Sequence, residues 1–287
     1  MVDHRADPKA LRFLIGHDLK TMRERARVTQ EQAARELGCS QGKINHLESG
    51  RNQQQPEEVT RLLRVYGADV EHIDRMASLA GRADQETWWA PFSEVLPNWF
   101  RIFVGLEGLA HAAFSYEPLL LPGQLQIPEY AEALLVGHLR VPPMEVPQVV
   151  RARMARQRLA DETPLRFRAV IEQYVLDRIV GSPEVMRAQL EHLLALMARD
   201  NVELHVMPVG VSVHDGLDGE FLLLDFVEAQ SIGYIEYQNG AVYVQDQDQV
   251  RLYNLAADRL CAVALSEVES VSFIESRLSE LGNRSEA

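Results

Sequence analysis

The stretch from Gln41 to Glu48 could bind a polar ligand through its side chains. The spacing of its apolar residues predicts a very short helix with one polar face. Ile44 and Leu47 are its apolar positions. Its central polar side chains are Gln41, Lys43, Asn45 and His46. A side-chain amide can bond an adenine edge bidentately, and a lysine can pair with a phosphate. So short a helix cannot stabilise itself, so neighbouring elements must hold the polar face outward.

Capping residues predict the elements that position this helix. Thr29 and Gln32 have the spacing of a capping box, so a helix begins after Thr29. Gly38 allows the left-handed conformation that ends this first helix. Ser40 caps the start of the second helix, and Gly50 ends the second helix. Two short helices joined by a tight turn form a helix-turn-helix, in which the second helix enters the major groove. An ordinary helix pair in an all-α domain is the alternative.

Two side-chain spacings favour the helix-turn-helix. Gln30 opens the first helix and Gln41 opens the second, so we expect both amides to lie side by side at a DNA surface. Arg23 and Glu48 fall on elements that would pack together, which predicts an internal ion pair.

These residues resemble the XRE-type, phage-repressor-like helix-turn-helix family. Its recurring pattern is L-T-Q-x-x-x-A-x-x-x-G-x-S-Q-x-x-I-x-x-x-E-x-G, and Val28 replaces the leucine here. The matching positions are Thr29, Gln30, Ala34, Gly38, Ser40, Gln41, Ile44, Glu48 and Gly50. The resemblance covers residues 9–80 and implies a DNA-binding domain of five helices.

Each polar residue of the motif has a predicted role on DNA. We expect Gln41 to contact a base edge and His46 to read a second base, while Gln30 bonds a phosphate and braces Gln41. Gly42 takes a position where the family usually has a reading side chain, so either it approaches a thymine methyl closely or that base is unread. The predicted DNA-binding residues are Thr29, Gln30, Gln41, Gly42, Lys43, Asn45, His46, Arg51 and Asn52.

Length and charge predict two domains, residues 1–81 and 82–287. The chain has 287 residues and a net charge of −13. Residues 1–81 hold 13 Lys+Arg against 12 Asp+Glu, a net charge of +1, so the remainder carries −14. We expect DNA to repel this acidic part, so that the N-terminal part docks alone. Residues 1–6 are predicted to be disordered, and Gly81 to Thr87 is a predicted hinge.

Composition and motifs indicate a cytoplasmic protein without a membrane span. Cys39 and Cys261 lie far apart, and no N-terminal apolar run is present. We expect neither an enzyme nor a cofactor, because phosphate loops, nucleotide-binding glycine motifs and nucleophile elbows are missing from the sequence. A cluster of possible metal ligands comprises His205, His214, Asp215, Asp218 and Glu220. Because it lacks paired-histidine spacing, we do not expect it to bind a metal ion.

Beyond residue 88 the pattern predicts an α+β domain around one mixed sheet. A dense aromatic run, residues 88–103, favours a core segment over a binding surface, and Leu106 to Tyr116 is predicted to continue as a helix. Strand, helix and strand at 165–171, 183–198 and 202–207 indicate a right-handed crossover between parallel strands. Antiparallel strands are predicted at 221–227, 232–237 and 241–244, and helices at 250–265 and 268–281.

Two segments of this region could bind an effector. The proline-rich stretch from residue 117 to 128 could line a pocket or be a rigid connection between helices. The predicted helix 146–159 also carries Arg158, and its candidate effector or partner residues are Arg151, Arg153, Arg156 and Gln157. Arginines could hold an anion or an acidic protein, although solvated or locally paired arginines are the alternative.

This region resembles the effector domain attached to XRE-type regulators of actinobacteria. The resemblance rests on LPGQLQIPEYA, RARMARQ, VIEQYVLDRIVG, MRAQLEHL and GEFLLLDF, and departs from the family at Gln124 and Ile127. Such regulators are arranged like antitoxins and are often encoded beside a small partner protein.

We therefore expect a sequence-specific regulator that binds a double-stranded DNA operator as a homodimer and senses a partner protein or ligand. An antitoxin-like protein that sequesters a small partner is one alternative. A repressor gated by a small-molecule effector is the other.

Overall fold

The computed structural model describes residues 7–82 and 87–285. The predicted disorder at residues 1–6 and most of the predicted hinge, residues 83–86, lie outside the described residues. The chain folds into two compact units. The first comprises the chain up to residue 93 with residues 97–110 and 225–231, and the second comprises residues 94–96, 111–224 and the chain from residue 232.

Within the described residues the first unit holds six helices. They are α1 (Pro8–Arg25), α2 (Gln30–Leu37), α3 (Gln41–Glu48), α4 (Pro56–Val65), α5 (Val70–Gly81) and α6 (Asn98–Leu109). The first five confirm the predicted five-helix domain. Local signals set their starts: the Ala10 amide donates to Asp7 Oδ1 over 2.7 Å, and Pro8 occupies the first turn of α1.

The α1 and α3 backbones are in direct contact at Gly16. A Cβ atom there would lie 2.7 Å from the carbonyl oxygens of Leu47 and Glu48. Gly50 makes the second close approach, with φ +66° and a hypothetical Cβ 2.9 Å from the Arg12 carbonyl oxygen. The α3 helix buries few apolar side chains, so it needs close contact with α1 to stay in place. Gly16 and Gly50 allow this close contact.

Buried polar side chains add two further ties to α1. The Gln54 side chain is fully buried and its Nε2 donates to the carbonyls of Arg12 (3.0 Å) and Leu47 (2.7 Å). His72 Nε2 donates to Asp18 Oδ2 over 2.8 Å, and this hydrogen bond raises the pKa of His72. The loop after α3 and the α5 helix are therefore both fixed to α1.

The aromatic run after residue 87 contributes to the first unit. Trp89 and Phe103 are buried, as predicted for a core segment. Gly105 lets α6 approach α1, since a Cβ there would lie 2.8 Å from Asp7 Cγ. The compact unit thus extends past residue 81. The division into domains of residues 1–81 and 82–287 stays a prediction.

The second unit is built on a mixed six-stranded sheet of order β3-β2-β1-β4-β5-β6. The strands are β1 (Ala112–Glu117), β2 (Arg166–Glu172), β3 (Val202–Met207), β4 (Phe221–Asp225), β5 (Ile232–Tyr237) and β6 (Gly240–Val244). β1, β2 and β3 are parallel, whereas β4, β5 and β6 form antiparallel pairs. This arrangement confirms the predicted α+β fold with one mixed sheet.

The predicted helix from Leu106 to Tyr116 is wrong beyond Leu109. Ala110 is extended, with ψ 141°, and the chain continues as β1, which pairs in parallel with β2. The reason is burial on both faces of the sheet: residues 113–116 are all buried, so the strand lacks the alternation that marks a half-exposed strand. A short run of this kind, without alternation, is also typical of the end of a buried helix, so the sequence pattern does not distinguish the two.

Six helices of the second unit are described. They are α7 (Pro128–Leu135), α8 (Val146–Arg156), α9 (Gln173–Asp177), α10 (Pro183–Met197), α11 (Gln247–Val263) and α12 (Glu267–Ser285). The α10 helix connects β2 to β3, which confirms the predicted parallel crossover. Ser266 Oγ accepts the Glu269 amide and caps α12, as predicted. Among the described residues, no helix has the length and apolar character needed to cross a membrane.

Candidate nucleic-acid interface

The α3 helix presents a polar face to solvent. Gln41, Gly42 and Asn45 are exposed, whereas Ile44 and Leu47 are fully buried on the opposite side. The helix is started by Ser40, whose Oγ accepts the Lys43 amide over 3.2 Å. Three of the residues that sequence spacing assigned to DNA contact, Gln41, Gly42 and Asn45, are therefore accessible.

Both ends of α2 have the predicted capping geometry. Thr29 Oγ1 accepts the Gln32 amide over 3.1 Å, and Gln32 Oε1 accepts the Thr29 amide over 2.7 Å, which completes the capping box. Gly38 ends α2 with φ +73°. These local features fix where α2 begins and where it ends.

A buried carboxylate, Glu48, joins α1, α2 and α3. Arg23 donates through Nε to Glu48 Oε1 over 2.5 Å and through Nη2 to Oε2 over 3.0 Å, which confirms the predicted ion pair. The Arg23 side chain is 10% exposed and that of Glu48 is 3% exposed. Hydrogen bonding to Glu48 raises the pKa of Arg23. Such a bidentate pair also fixes orientation, because both N–H···O bonds must be satisfied together.

Gln30 completes this arrangement in a way that the sequence did not predict. Its Nε2 donates to Glu48 Oε2 over 2.9 Å, so the amide at the start of α2 is held by the end of α3. One further N–H and the amide oxygen remain for Gln41 or for DNA. The predicted contacts of Gln30 with Gln41 and with a DNA phosphate stay predictions.

The Lys43 side chain, predicted to hold a phosphate, has an intramolecular partner. Its Nζ pairs with Oε1 of Glu58 on α4, and this contact raises the pKa of Lys43. Both side chains are partly exposed, so the pair is accessible to a competing phosphate. A DNA phosphate would therefore compete with Glu58 for the Lys43 ammonium group.

The structure also describes the other predicted DNA-binding residues of α3 and of the turn that follows it. Arg51 and Asn52 are exposed in the turn after α3, where both backbone amides donate to the His46 carbonyl over 3.0 and 3.3 Å. His46 is half-buried. At Gly42 an added Cβ would meet only Ser40 Oγ, at 3.8 Å, so packing does not require glycine there.

The predicted effector residues of α8 do not share one face. Arg151 is exposed, and Arg156 is half-buried. Arg158 lies beyond the helix end, is buried and pairs with Asp161 across 3.7 Å. The four arginines of this stretch therefore do not form a single positive surface.

Glutamines fix the proline-rich stretch from residue 117 to 128. Gln157 donates to the carbonyls of Gly123 (3.0 Å) and Gln126 (2.6 Å). Gln124 is buried and bonds the backbone of residues 156 and 158, and Gln189 on α10 bonds the backbone of residues 125 and 127. These contacts make the stretch a fixed connection and place Gln157 in a structural role.

Arg153 is the arginine of α8 that points into the second unit. Its Nη1 donates to Gln126 Oε1 over 2.8 Å, and its guanidinium interacts electrostatically with Glu236 and Glu117. Burial, and then the neighbouring Arg156, lower the pKa of Arg153 to about 10. Burial, with Glu220 and Glu236, raises the pKa of nearby Glu117 to about 8, so this carboxyl is largely protonated at neutral pH.

The residues considered as metal ligands from sequence separate into different contacts. His205 bonds Glu203 on the same strand, and Asp215 pairs with Arg259 across 2.7 Å. His214 lies 3.4 Å from Glu172, which also accepts the Tyr116 hydroxyl. His205 and His214 therefore contact different carboxylates, Glu203 and Glu172.

Two family comparisons bear on this geometry. Residues 14–76 match a helix-turn-helix domain family, and residues 100–276 match a family described as a domain of unknown function, DUF5753. The second match spans more than half of the chain. The chain belongs to the DUF5753 family. The comparison with curated proteins gave no match, and the comparison with solved structures gave none either.

The helix-turn-helix match covers all of α2, α3 and α4, together with most of α1 and α5. This DUF5753 protein is therefore a DNA-binding regulator with a helix-turn-helix domain. The family description assigns no activity to residues 100–276.

Removing Glu58 should release Lys43 toward DNA. We expect Glu58→Gln to raise affinity for random duplex DNA severalfold and to steepen the dependence of log affinity on log salt by up to about 0.9, the increment for one further phosphate contact. Fluorescence anisotropy across a potassium chloride series measures both quantities. Glu57→Gln, an exposed carboxylate on the same helix, removes the same charge without touching Lys43. Equal effects of the two variants would show that the ion pair does not restrain Lys43.

Proposed function

We propose that the protein is a sequence-specific transcriptional regulator of the XRE type, and not an enzyme, which binds a double-stranded DNA operator through α3. The observation that carries the proposal is the exposed polar face of α3, Gln41 to Asn45, on a helix whose position is fixed by buried Glu48. A rigid helix with free amide side chains suits direct reading of base edges in the major groove.

Specificity and affinity would come from different residues of this surface. Gln41 and Asn45 carry amides that can bond adenine, and His46 lies beside them. Backbone contacts would come from Thr29, Lys43, Arg51 and Asn52, of which Thr29, Arg51 and Asn52 are exposed and Lys43 is partly exposed. Since the chain beyond residue 81 carries a net charge of −14, DNA should engage only the helix-turn-helix surface.

We also propose that the regulator acts as a homodimer through residues 82–287. In support, α11 exposes Leu252 and Leu255, three positions apart and so on one helix face, at 66% and 55% of their surface. An apolar pair on an otherwise polar helix face is typical of a contact surface. Two heads would then read half-sites about one helical turn apart, or a multiple of it.

The second unit is proposed to sense a small anionic ligand through Arg153. This guanidinium is half-buried and donates a hydrogen bond to Gln126. It interacts electrostatically with Glu236 and with Glu117, and the Glu117 carboxyl is largely neutral. A guanidinium has five N–H donors, so Arg153 can also pair with the carboxylate or phosphate of a ligand. Its half-buried position favours a small ligand over the surface of a partner protein.

Gln41→Ala tests the DNA-reading assignment. Selection of bound sequences from a random duplex library should enrich one motif with two related half-sites for the wild type. On that motif we expect Gln41→Ala to lose about 1–3 kcal/mol of binding free energy while affinity for random DNA stays nearly unchanged. Equal losses on selected and random DNA would exclude Gln41 as a base reader, and selection of single half-sites would contradict the dimer.

Arg153→Lys tests the ligand assignment, because lysine keeps the charge and loses the bidentate geometry. Thermal unfolding is followed with inorganic phosphate and a panel of small mono- and dicarboxylates. We expect at least one anion to raise the unfolding temperature of the wild type and of Arg151→Lys, the exposed control on the same helix, but not of Arg153→Lys. If no anion does so and a small co-purifying protein changes DNA affinity instead, the antitoxin-like alternative holds.

A further inference from the structure

Three side chains of metal-binding type converge between β3 and α11 in the second unit. Glu203 and His205 are two positions apart on β3 and so share one face of the sheet. Cys261 faces them from α11. One ligand atom from each of the three residues lies within 4.8 Å of the other two. His205 is buried, and Glu203 and Cys261 are partly buried.

The hydrogen bonds of His205 indicate a cation at this position. Nδ1 lies 2.8 Å from the Leu265 carbonyl oxygen, which only accepts, so Nδ1 must carry a hydrogen. In a neutral imidazole the lone pair of Nε2 then faces Glu203 Oε1 across 2.8 Å, so that two acceptors oppose each other. A positive centre relieves this conflict, either a proton on Nε2 or a metal ion between the two ligand atoms.

The third side chain favours the metal ion. A sulfur beside an imidazole and a carboxylate is a ligand set that zinc prefers. Arg168 is hydrogen-bonded to Asp258 across 2.9 Å and also interacts electrostatically with Cys261 and Glu203. In the metal-bound state the thiolate of Cys261 and the carboxylate of Glu203 would together balance the charge of a divalent ion.

We propose that Glu203, His205 and Cys261 bind Zn²⁺, with the fourth position taken by water or by an external ligand. Ligand atoms around tetrahedral zinc lie about 3.3–3.7 Å apart, as follows from metal–ligand distances of about 2.0–2.3 Å. Nε2 and Oε1 would need to separate by about half an ångström, which the partly exposed Glu203 side chain can allow.

The surroundings are those of a supported metal site. The Leu265 carbonyl sets the ring orientation of His205, as second-shell acceptors do for zinc-binding histidines. The strand itself is tied to the α11–α12 link, because the Val206 amide donates to Ser270 Oγ over 3.0 Å and the Leu265 amide donates to the Val206 carbonyl over 2.9 Å. Bound zinc would add a direct link from β3 to α11, independent of the α3 surface.

Metal binding by the full-length protein tests the proposal. The chelator-treated protein is titrated with Zn²⁺ against a chromophoric competitor, and with Co²⁺ to detect the sulfur-to-metal charge-transfer absorption of a thiolate ligand. We expect one site per chain that shows this absorption. Cys261→Ser should abolish the absorption, and both Cys261→Ser and His205→Gln should lower zinc affinity by at least about tenfold.

Two further variants keep the test independent of folding. Glu203→Gln can donate an N–H to a neutral His205 ring and so preserve the local contact, but it should still weaken zinc binding at least about tenfold. Cys39→Ser removes the cysteine of the first unit and should bind as the wild type does. Absence of the charge-transfer band in the wild type, unchanged zinc affinity in Glu203→Gln, or an equal loss in Cys39→Ser would each overturn the site.

Discussion

The position of α3 depends on the buried pair between Arg23 and Glu48. This helix is only two turns long and buries two large apolar side chains, so hydrophobic burial alone holds it weakly. Removing one partner of such a pair would strand a charge in the core, which typically costs about 3–5 kcal/mol. The pair therefore fixes the orientation of the surface that the helix presents, and glycine at position 16 lets the two backbones come close enough for it to form.

The same constraint recurs elsewhere in the molecule. Segments with little apolar surface are fixed by buried polar side chains that bond backbone groups, as Gln54 does after α3 and Gln124 and Gln189 do around the proline-rich stretch. These side chains satisfy backbone groups that would otherwise be buried without partners. Buried polar side chains that bond the backbone therefore have the same effect in both units. They hold the recognition residues rigidly in the first unit and fix the connection beside Arg153 in the second.

Local signals made much of this structure predictable from sequence. Caps and apolar periodicity gave α1 to α5, and the capping box at Thr29 and the pair of Arg23 with Glu48 followed from spacing alone. Most strands of the second unit were found in the same way. The β1 strand was missed because it is buried on both faces, so its pattern does not alternate.

Side-chain partners were harder to predict than elements. The bonds of Gln30 to Glu48 and of Lys43 to Glu58 depend on rotamers and on how α2, α3 and α4 cross, which spacing does not determine. The convergence of Cys261 on His205 requires the packing of α11 on β3, since the two residues are far apart in the chain. Sequence indicated which residues could bind, whereas tertiary packing decided which of them meet.

The central claim is that Arg23 and Glu48 act as one unit in holding α3. It is tested most directly by a double-mutant cycle with Arg23→Met and Glu48→Leu, using native-state hydrogen exchange of the α3 amides as the local measure of stability. We predict that each single variant lowers the opening free energy of α3 by about 3 kcal/mol or more, and that the double variant recovers most of this loss. Small, additive losses would contradict the account.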